Sequence, residues 1–190
     1  CTNVENLVVG AEICEDLWVL NPPSIEHASA GATVIVNCSA SDEITGKGEY
    51  RRNLVSGQSA RLLCAYLYAN AGDGESSQDL VFGGQNMIAE NGTVLAESAR
   101  FETGLLCADV DLERLECERR RMTTYQTQGR GGYLFVDFTL ERRFSPLRRT
   151  VDPSPFVPHD EEGRSRRCEE ILSIQTAGLR KRLKHTGCRH

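Results

Sequence analysis

The chain has 190 residues, a length that suits one domain with a substantial core, or one domain plus part of another. Hydrophobic residues make up 39% and charged residues 26%, which is typical of a globular chain and excludes a largely disordered one. The formal net charge is −5 and no apolar run is long enough to cross a bilayer. Neither a nucleic acid nor a membrane is therefore expected as a partner.

Eight cysteines are scattered along the chain, with no CxxC pair and no histidine pair to match them. This scatter predicts reduced, buried thiols in a cytoplasmic protein, and it argues against a disulfide framework, a metal site or a redox module. The chain opens on Cys1, close to what the pattern indicates is an internal strand. We therefore expect a piece of a longer protein.

The first half of the chain alternates strand and helix signals. Residues 7–14 and 31–41 are apolar runs typical of buried strands. Residues 22–30 begin with two prolines and a serine, a helix-start pattern. From residue 49 the spacing is helical, and it passes into an apolar run at 64–69 that predicts another strand.

The next segment carries a turn signal. Asn91-Gly92, between two apolar runs within residues 79–98, predicts a β-hairpin, and residues 103–122 predict a strand followed by a charged helix. Strands that alternate with helices, together with a hairpin, predict an α/β fold with a mixed sheet and helices on at least one face.

The last segment changes character. Prolines predict an extended linker over residues 146–163. Apolar spacing within residues 164–190 predicts an amphipathic helix with Gly187 as a C-cap.

Cys14 lies at a strand-to-loop corner between Glu12, Glu15 and Asp16. A lone cysteine at a strand end is usually a packed thiol, whereas catalytic groups are often displayed at such corners. Nearby anions disfavour a thiolate, so a nucleophilic Cys14 needs a cation from elsewhere. The residues alone leave both interpretations open, and Asp16 is interpreted as a loop or cap residue.

Four stretches follow one another along almost the whole chain: AEICEDLWVLNPPS, GATVIVNCSASDEITGKGEYRR, YANAGDGESSQDLVFGGQNMIAENG and RCEEILSIQTAGLRKRLKHTG. Together and in this order they resemble the glutamine-dependent NAD synthetases. The resemblance implies a nitrilase-like α-β-β-α sandwich, present in part. Residues 1–145 would be the later part of the glutaminase domain, 146–163 the linker, and 164–190 the truncated first helix of the synthetase domain.

By resemblance, Cys14 is the nucleophile of a Glu-Lys-Cys triad that hydrolyses the carboxamide of glutamine. The family's Glu and Lys lie well upstream, and only 13 residues precede Cys14. The resemblance therefore implies that both are absent from this chain, and we expect the isolated chain to have little or no glutaminase activity.

Four further positions match residues of the family's glutamine pocket: Ser41, Lys47, Glu15 and Trp18. The resemblance implies that Lys47 pairs with the substrate α-carboxylate. It also implies that Glu15 meets the α-ammonium group or orients the triad lysine. A turn role for Ser41 and a packing role for Trp18 stay open.

The resemblance also implies partners. L-glutamine would bind here, while ATP, Mg²⁺ and deamido-NAD would bind the synthetase part of a homo-oligomeric parent enzyme, with no cofactor or metal in this chain. Two other interpretations stay open. One is a free-standing nitrilase-family amidase, against which the C-terminal helix argues. The other is a non-catalytic nitrilase-like interaction module in which Cys14 is a packed thiol.

Overall fold

The computed structural model describes residues 1–75, 78–129, 131–141 and 143–187. The chain up to Arg149 forms one compact unit, and the chain from Thr150 onward forms a second. Within the described ranges, no helix combines the length and the apolar character that a membrane span requires.

The strands of the described residues form one five-stranded mixed sheet, in which they lie side by side in chain order. The first three strands are parallel, and the fourth and fifth are added antiparallel. The predicted mixed α/β architecture is therefore confirmed. The strands are β1 (Val9–Ile13), β2 (Val34–Ser39), β3 (Ala65–Asn70), β4 (Met87–Glu90) and β5 (Thr93–Glu97).

Helices connect the parallel strands, as a parallel pairing requires. A 3-10 turn, Cys14–Leu17, and helix α1, Ser24–Ser29, join β1 to β2. Helix α2, Lys47–Leu62, joins β2 to β3, and it stops where Leu63 adopts a left-handed conformation with φ 47°. Helix α3, Leu112–Arg121, follows the hairpin.

One face of the sheet packs against α1 and α2. Ile35 and Tyr66 from the sheet meet Val55 and Leu62 from α2 in the main core cluster. Side chains alternate between the two faces of a strand, so Asn37, two residues after Ile35, also points to this face. The core therefore becomes polar toward the carboxyl end of the parallel strands.

The opposite face of the sheet is covered over part of its area. Val34 and Ala65 pack against Leu115 of α3. Toward the carboxyl ends of the strands, Ile13 and Cys38 lie on this face and are exposed. Among the described residues, this end of the face has no covering layer.

The predicted hairpin is confirmed. Asn91 has φ 44° and Gly92 has φ 84°, the pair of positive values that a type I′ turn needs. A Cβ at position 92 would lie 2.9 Å from the Cβ of Ala60, so glycine also lets the turn approach α2.

The strand predicted at the start of residues 103–122 is wrong. No strand occurs in residues 103–111, which are all described, and Leu105 is exposed. The segment is extended, but at its end the Asp111 N–H donates to the Glu90 carboxylate at 2.7 Å instead of to a neighbouring strand. Apolar content alone cannot supply a pairing partner.

The prediction of buried thiols holds for Cys64 and fails for most of the others. The cysteines in the described residues are free, as predicted, but four of them are exposed because they lie on uncovered sheet, extended chain or outward helix faces. These four are Cys38, Cys107, Cys117 and Cys168.

The second unit contains helix α4, Glu161–Thr186. Asp160 caps its start by accepting a hydrogen bond from the Gly163 N–H at 2.6 Å, and Gly187, with φ 67°, is the predicted C-cap. The helix begins inside the predicted 146–163 linker, and residues 188–190 lie outside the described residues. The domain bounds 1–145, 146–163 and 164–190 stay predictions.

Candidate active site

Polar residues collect where the parallel strands end. Cys14 follows β1 directly, Ser41 lies two residues after β2, and Asn70 is the last residue of β3. The carboxyl ends of parallel strands share one edge of a sheet, where ligands of α/β proteins commonly bind. The fold therefore brings two of the predicted site residues, Cys14 and Ser41, to the same edge.

Cys14 lies at a sharp corner between strand and 3-10 turn. Its φ is 49°, a left-handed value that is uncommon for a residue with a Cβ. The Ile13 N–H donates to the Asp16 carboxylate at 2.7 Å, so Asp16 caps the turn, as its interpretation as a cap residue predicts. The corner leaves Cys14 half-buried.

The main-chain groups of Cys14 contact the side chain of a buried residue, Asn37. Its N–H donates to Asn37 Oδ1 at 3.0 Å, and Asn37 Nδ2 lies 3.5 Å from its carbonyl oxygen. Among the described residues no cationic side chain contacts the thiol. The activating cation that Cys14 would need is therefore not among the contacts found here.

Glu12, two residues before Cys14, is turned into the core and is 3% exposed. Its carboxylate accepts hydrogen bonds from the Ser24 N–H at 2.8 Å and from the Tyr66 hydroxyl. Burial and the Glu12 carboxylate raise the pKa of the Tyr66 hydroxyl far above its ordinary value, so it stays protonated. The sequence marks Glu12 only as an acid inside an apolar run.

Trp18 and Lys47 come together. The ammonium of Lys47 lies 5.3 Å from the centroid of the Trp18 ring, and Trp18 stacks on Tyr50 with ring centroids 5.5 Å apart. Lys47 also forms a salt bridge with Asp42, which holds the pKa of that carboxyl below its usual range. The Lys47 ammonium therefore contacts both the face of the Trp18 indole ring and the Asp42 carboxylate.

Hydrogen bonds to the end of β3 and to a buried arginine hold the loop that carries Ser41. The Ser41 N–H donates to Asn70 Oδ1 at 2.9 Å, and Asn70 Nδ2 donates back to the Ser41 carbonyl at 3.2 Å. The Ser41 hydroxyl lies 3.4 Å from the guanidinium of Arg51, which is fully buried and pairs with Glu43 at 3.0 Å. Both the main chain and the side chain of Ser41 are therefore hydrogen-bonded to neighbouring elements.

Glu15 stands apart from the other predicted site residues. Its carbonyl accepts the Trp18 N–H at 2.8 Å, and the residue is exposed. The described residues give its carboxylate no contact with Ser41 or Lys47.

Sequence reasoning missed several residues of this site. Asn37, Glu12 and Tyr66 are buried behind Cys14, and Asp42 pairs with Lys47. One signal was available: Glu12 and Asn37 are polar residues at inward positions of apolar strands, and buried polar groups need partners.

A cavity lies elsewhere in the first unit. It has a volume of about 630 Å³ and flanks the outer edge of β1, beside His27 and residues 133–138. Cys14, Ser41 and Lys47 do not line it. Its lining includes the thiol of Cys1 and the ring of His27, but the hydrogen bonds of these two groups go to Asn3, Tyr133 and Ala11 rather than to each other. Among the described residues, no cluster of His, Cys, Asp or Glu could hold a metal ion.

Residues 2–120 match the protein family described as carbon-nitrogen hydrolase. The glutamine-dependent NAD(+) synthetase of Mycobacterium tuberculosis (strain ATCC 25618 / H37Rv) is 44% identical over 193 residues, covering 96% of this chain and 28% of that protein. The Mycobacterium leprae protein of the same name is 46% identical over 188 residues, covering 94% and 28%. The predicted resemblance is thereby confirmed, and the chain spans 28% of the length of these relatives.

A solved structure agrees on the fold. The carbon-nitrogen hydrolase from Helicobacter pylori G27 superposes with a TM-score of 0.53 at 21% identity, covering 64% of this chain and 45% of that one. At this identity the likeness bears on the fold alone, and it supports the predicted nitrilase-like α/β architecture.

Proposed function

Because the chain belongs to the carbon-nitrogen hydrolase family, we propose that it carries the nucleophile of a glutaminase within a glutamine-dependent NAD synthetase. The observation that carries the proposal is the position of Cys14. It is half-buried, at a left-handed corner, directly after a parallel strand. Relatives with that name match 96% of the chain, including the part beyond the family match. This extent favours a synthetase over a free-standing amidase and over a non-catalytic interaction module.

The chemistry takes two steps. The Cys14 thiolate attacks the side-chain carbonyl carbon of glutamine, and the tetrahedral intermediate collapses when the carbon–nitrogen bond breaks and the nitrogen leaves as ammonia after gaining a proton. A γ-glutamyl thioester remains. Water then adds to the thioester, the carbon–sulfur bond breaks, and glutamate and the thiol are released. The proton transfers require a general base and acid, which we assign to a glutamate outside this chain.

A cation must support both the thiolate and the oxyanion. The acids at Glu15 and Asp16 disfavour a thiolate, and Lys47 is occupied by Asp42 and lies over Trp18. We assign the activating lysine to a segment outside this chain. The isolated chain is therefore expected to have little or no glutaminase activity.

The proposed glutamine pocket uses the residues near Cys14. Lys47 would bind the α-carboxylate of glutamine as a point charge. The Trp18 ring, which lies under the Lys47 ammonium, would form an apolar side of the glutamine pocket. Ser41, held by Asn70, would offer its hydroxyl to the substrate. Glu15 is exposed, and among the described residues its carboxylate contacts neither Ser41 nor Lys47, so it would either meet the α-ammonium group of bound glutamine or orient the triad lysine, the two roles that the resemblance implies.

The rest of the activity belongs to the longer protein. There, ATP and Mg²⁺ would activate deamido-NAD, and the ammonia released at Cys14 would form the amide of NAD. We further propose a cytoplasmic homo-oligomer.

The test is covalent labelling with a diazo-ketone glutamine analogue, read by intact mass and peptide mapping. We expect one adduct, on Cys14, in the full-length protein, and none in its Cys14→Ala variant or in the 190-residue chain alone. Cys38→Ala is the matched control because Cys38 is an exposed thiol on the neighbouring strand. An unlabelled Cys14 in the full-length protein would remove the glutaminase proposal, and labelling of the chain alone would remove the missing-partner proposal.

A further inference from the structure

A row of buried polar side chains runs behind Cys14, and the proposed reaction does not use it directly. Glu12, Asn37 and Tyr66 are 3%, 1% and 0% exposed. Buried polar groups are retained only where their hydrogen bonds are satisfied, and these three satisfy one another. The row ends at the main chain of Cys14.

Asn37 contacts both main-chain groups of Cys14. Its Oδ1 accepts the Cys14 N–H at 3.0 Å, and its Nδ2 lies 3.5 Å from the Cys14 carbonyl oxygen. Cys14 has a positive φ of 49°, a conformation that persists only where the surroundings hold it. An amide is well suited to this task because it offers an acceptor and a donor side by side.

The direction of each hydrogen bond follows from Glu12. Its two carboxyl oxygens both accept: one from the Ser24 N–H at 2.8 Å, a group that can only donate, and the other from the Tyr66 hydroxyl. The Tyr66 hydrogen is thereby committed, so its oxygen accepts from Asn37 Nδ2 at 3.1 Å. Asn37 must then turn Oδ1 toward the Cys14 N–H, where the Ser39 hydroxyl also donates to it at 2.7 Å.

We propose that Glu12, Tyr66 and Asn37 form a directional hydrogen-bond chain that fixes the amide orientation of Asn37 and so holds Cys14 in the conformation that presents its thiol. All three are positioning residues, since none touches the reacting atoms. The inference rests on the proposed function for its kinetic consequence. Its structural consequence, the presentation of the Cys14 thiol, can be measured without any substrate.

The substitution Glu12→Gln changes the hydrogen-bond directions of this chain while it keeps the size of the side chain almost the same. If the glutamine turns its oxygen to Tyr66, its NH₂ faces the Ser24 N–H, and two donors meet. If it turns its NH₂ to Tyr66, the tyrosine hydrogen must go to Asn37, whose amide then flips and presents NH₂ to the Cys14 N–H. Either arrangement breaks one bond of the chain without changing the volume of the core.

Kinetics on the full-length protein give the first readout. For Glu12→Gln and for Asn37→Ala we expect kcat for glutamine hydrolysis to fall about 10- to 100-fold with KM within about threefold, because small misplacements of a nucleophile reduce the rate more than the binding. The matched control is Glu90→Gln. Glu90 is equally buried, accepts from Arg149 at 2.7 and 2.8 Å, and lies at the opposite end of the sheet. Its kcat should match the wild type.

Alkylation of Cys14 by iodoacetamide, followed by peptide mass spectrometry, gives the second readout. We expect its rate to fall at least about threefold in Glu12→Gln and Asn37→Ala and to stay unchanged in Glu90→Gln. This result would support the inference even if the wild type hydrolysed no glutamine, in which case the proposed function alone would fail. The inference is overturned if kcat and alkylation stay at wild-type values in both variants, or if Glu90→Gln lowers them equally.

Discussion

Arg51 supports the loop that carries Ser41, and replacing it should damage that loop severely. Its side chain is fully buried and its guanidinium contacts the Glu43 carboxylate at 3.0 Å, the Asp42 carbonyl at 3.3 Å and the Ser41 hydroxyl at 3.4 Å. Arg51→Met removes the cation and leaves Glu43, whose side chain is 5% exposed, without its close partner. The main effect of the substitution is therefore that the buried Glu43 carboxylate loses its close cationic partner.

The size of the effect follows from that burial. Breaking a buried ion pair from one side costs about 3–5 kcal/mol. Glu43 keeps a weaker interaction with Arg100 at 3.5 Å, whose side chain is 48% exposed, so the lower end applies. We expect Arg51→Met to reduce the free energy of unfolding by about 3 kcal/mol and the Tm by about 6–12 °C for a chain of this length.

Urea unfolding of the chain, followed by circular dichroism, measures this loss. Arg52→Met is the matched control. Arg52 is the next residue on α2, its side chain is 48% exposed, and its ion pair with Glu97 at 2.9 Å should contribute at most about 1 kcal/mol. The double variant Arg51→Met/Glu43→Gln should recover much of the loss, because it removes the unpaired charge. Equal losses for Arg51→Met and Arg52→Met would refute the reasoning.

Three further predictions concern the pocket and the core. Burial raises the pKa of the Cys64 thiol to about 12. In the unfolded chain this thiol ionises near pH 9, whereas in the folded chain it stays protonated up to about pH 12. The contribution of Cys64 to the free energy of unfolding is therefore complete below about pH 9, and it falls by up to about 1.4 kcal/mol per pH unit as the pH rises toward 12. Between pH 9 and pH 12 the free energy of unfolding should fall less steeply with pH in Cys64→Ala than in the wild type, and equal slopes would contradict this prediction. Asp42→Asn should free Lys47 and lower the KM for glutamine several-fold, while Lys47→Met should raise it about tenfold with little change in kcat. A raised KM in Asp42→Asn would mean that Asp42 positions Lys47 instead of competing with substrate. Glutamine should change the tryptophan emission of the full-length Cys14→Ala protein, and this change should disappear when Trp18→Phe is added; its persistence would place Trp18 outside the pocket.

Much of the fold could be predicted because its signals are local. The type I′ hairpin follows from Asn91-Gly92, and the apolar runs around Val34 and Ala65 are buried strands as predicted. The extended stretch at 103–111 carries similar apolar residues but forms no strand. A strand needs a partner with free hydrogen-bonding groups, and residue pattern carries no information about whether one is present.

In the candidate site, too, local residue patterns could be predicted and long-range contacts could not. A cysteine followed by two acids at the end of an apolar run marks Cys14, and the resemblance adds Ser41, Lys47, Glu15 and Trp18 as predictions. Their environments could not be predicted.

The sequence by itself determined the alternation of strands and helices, the hairpin and the corner that displays Cys14, because each depends on residues within a few positions of one another. Only the tertiary structure decided which polar groups meet. Tyr66 reaches Glu12 across 54 positions, and Asn37 reaches Cys14 across 23. The physical reason is that a buried donor or acceptor must find its partner wherever the folded chain places one, and that choice is made by strand order and register rather than by neighbours in the sequence.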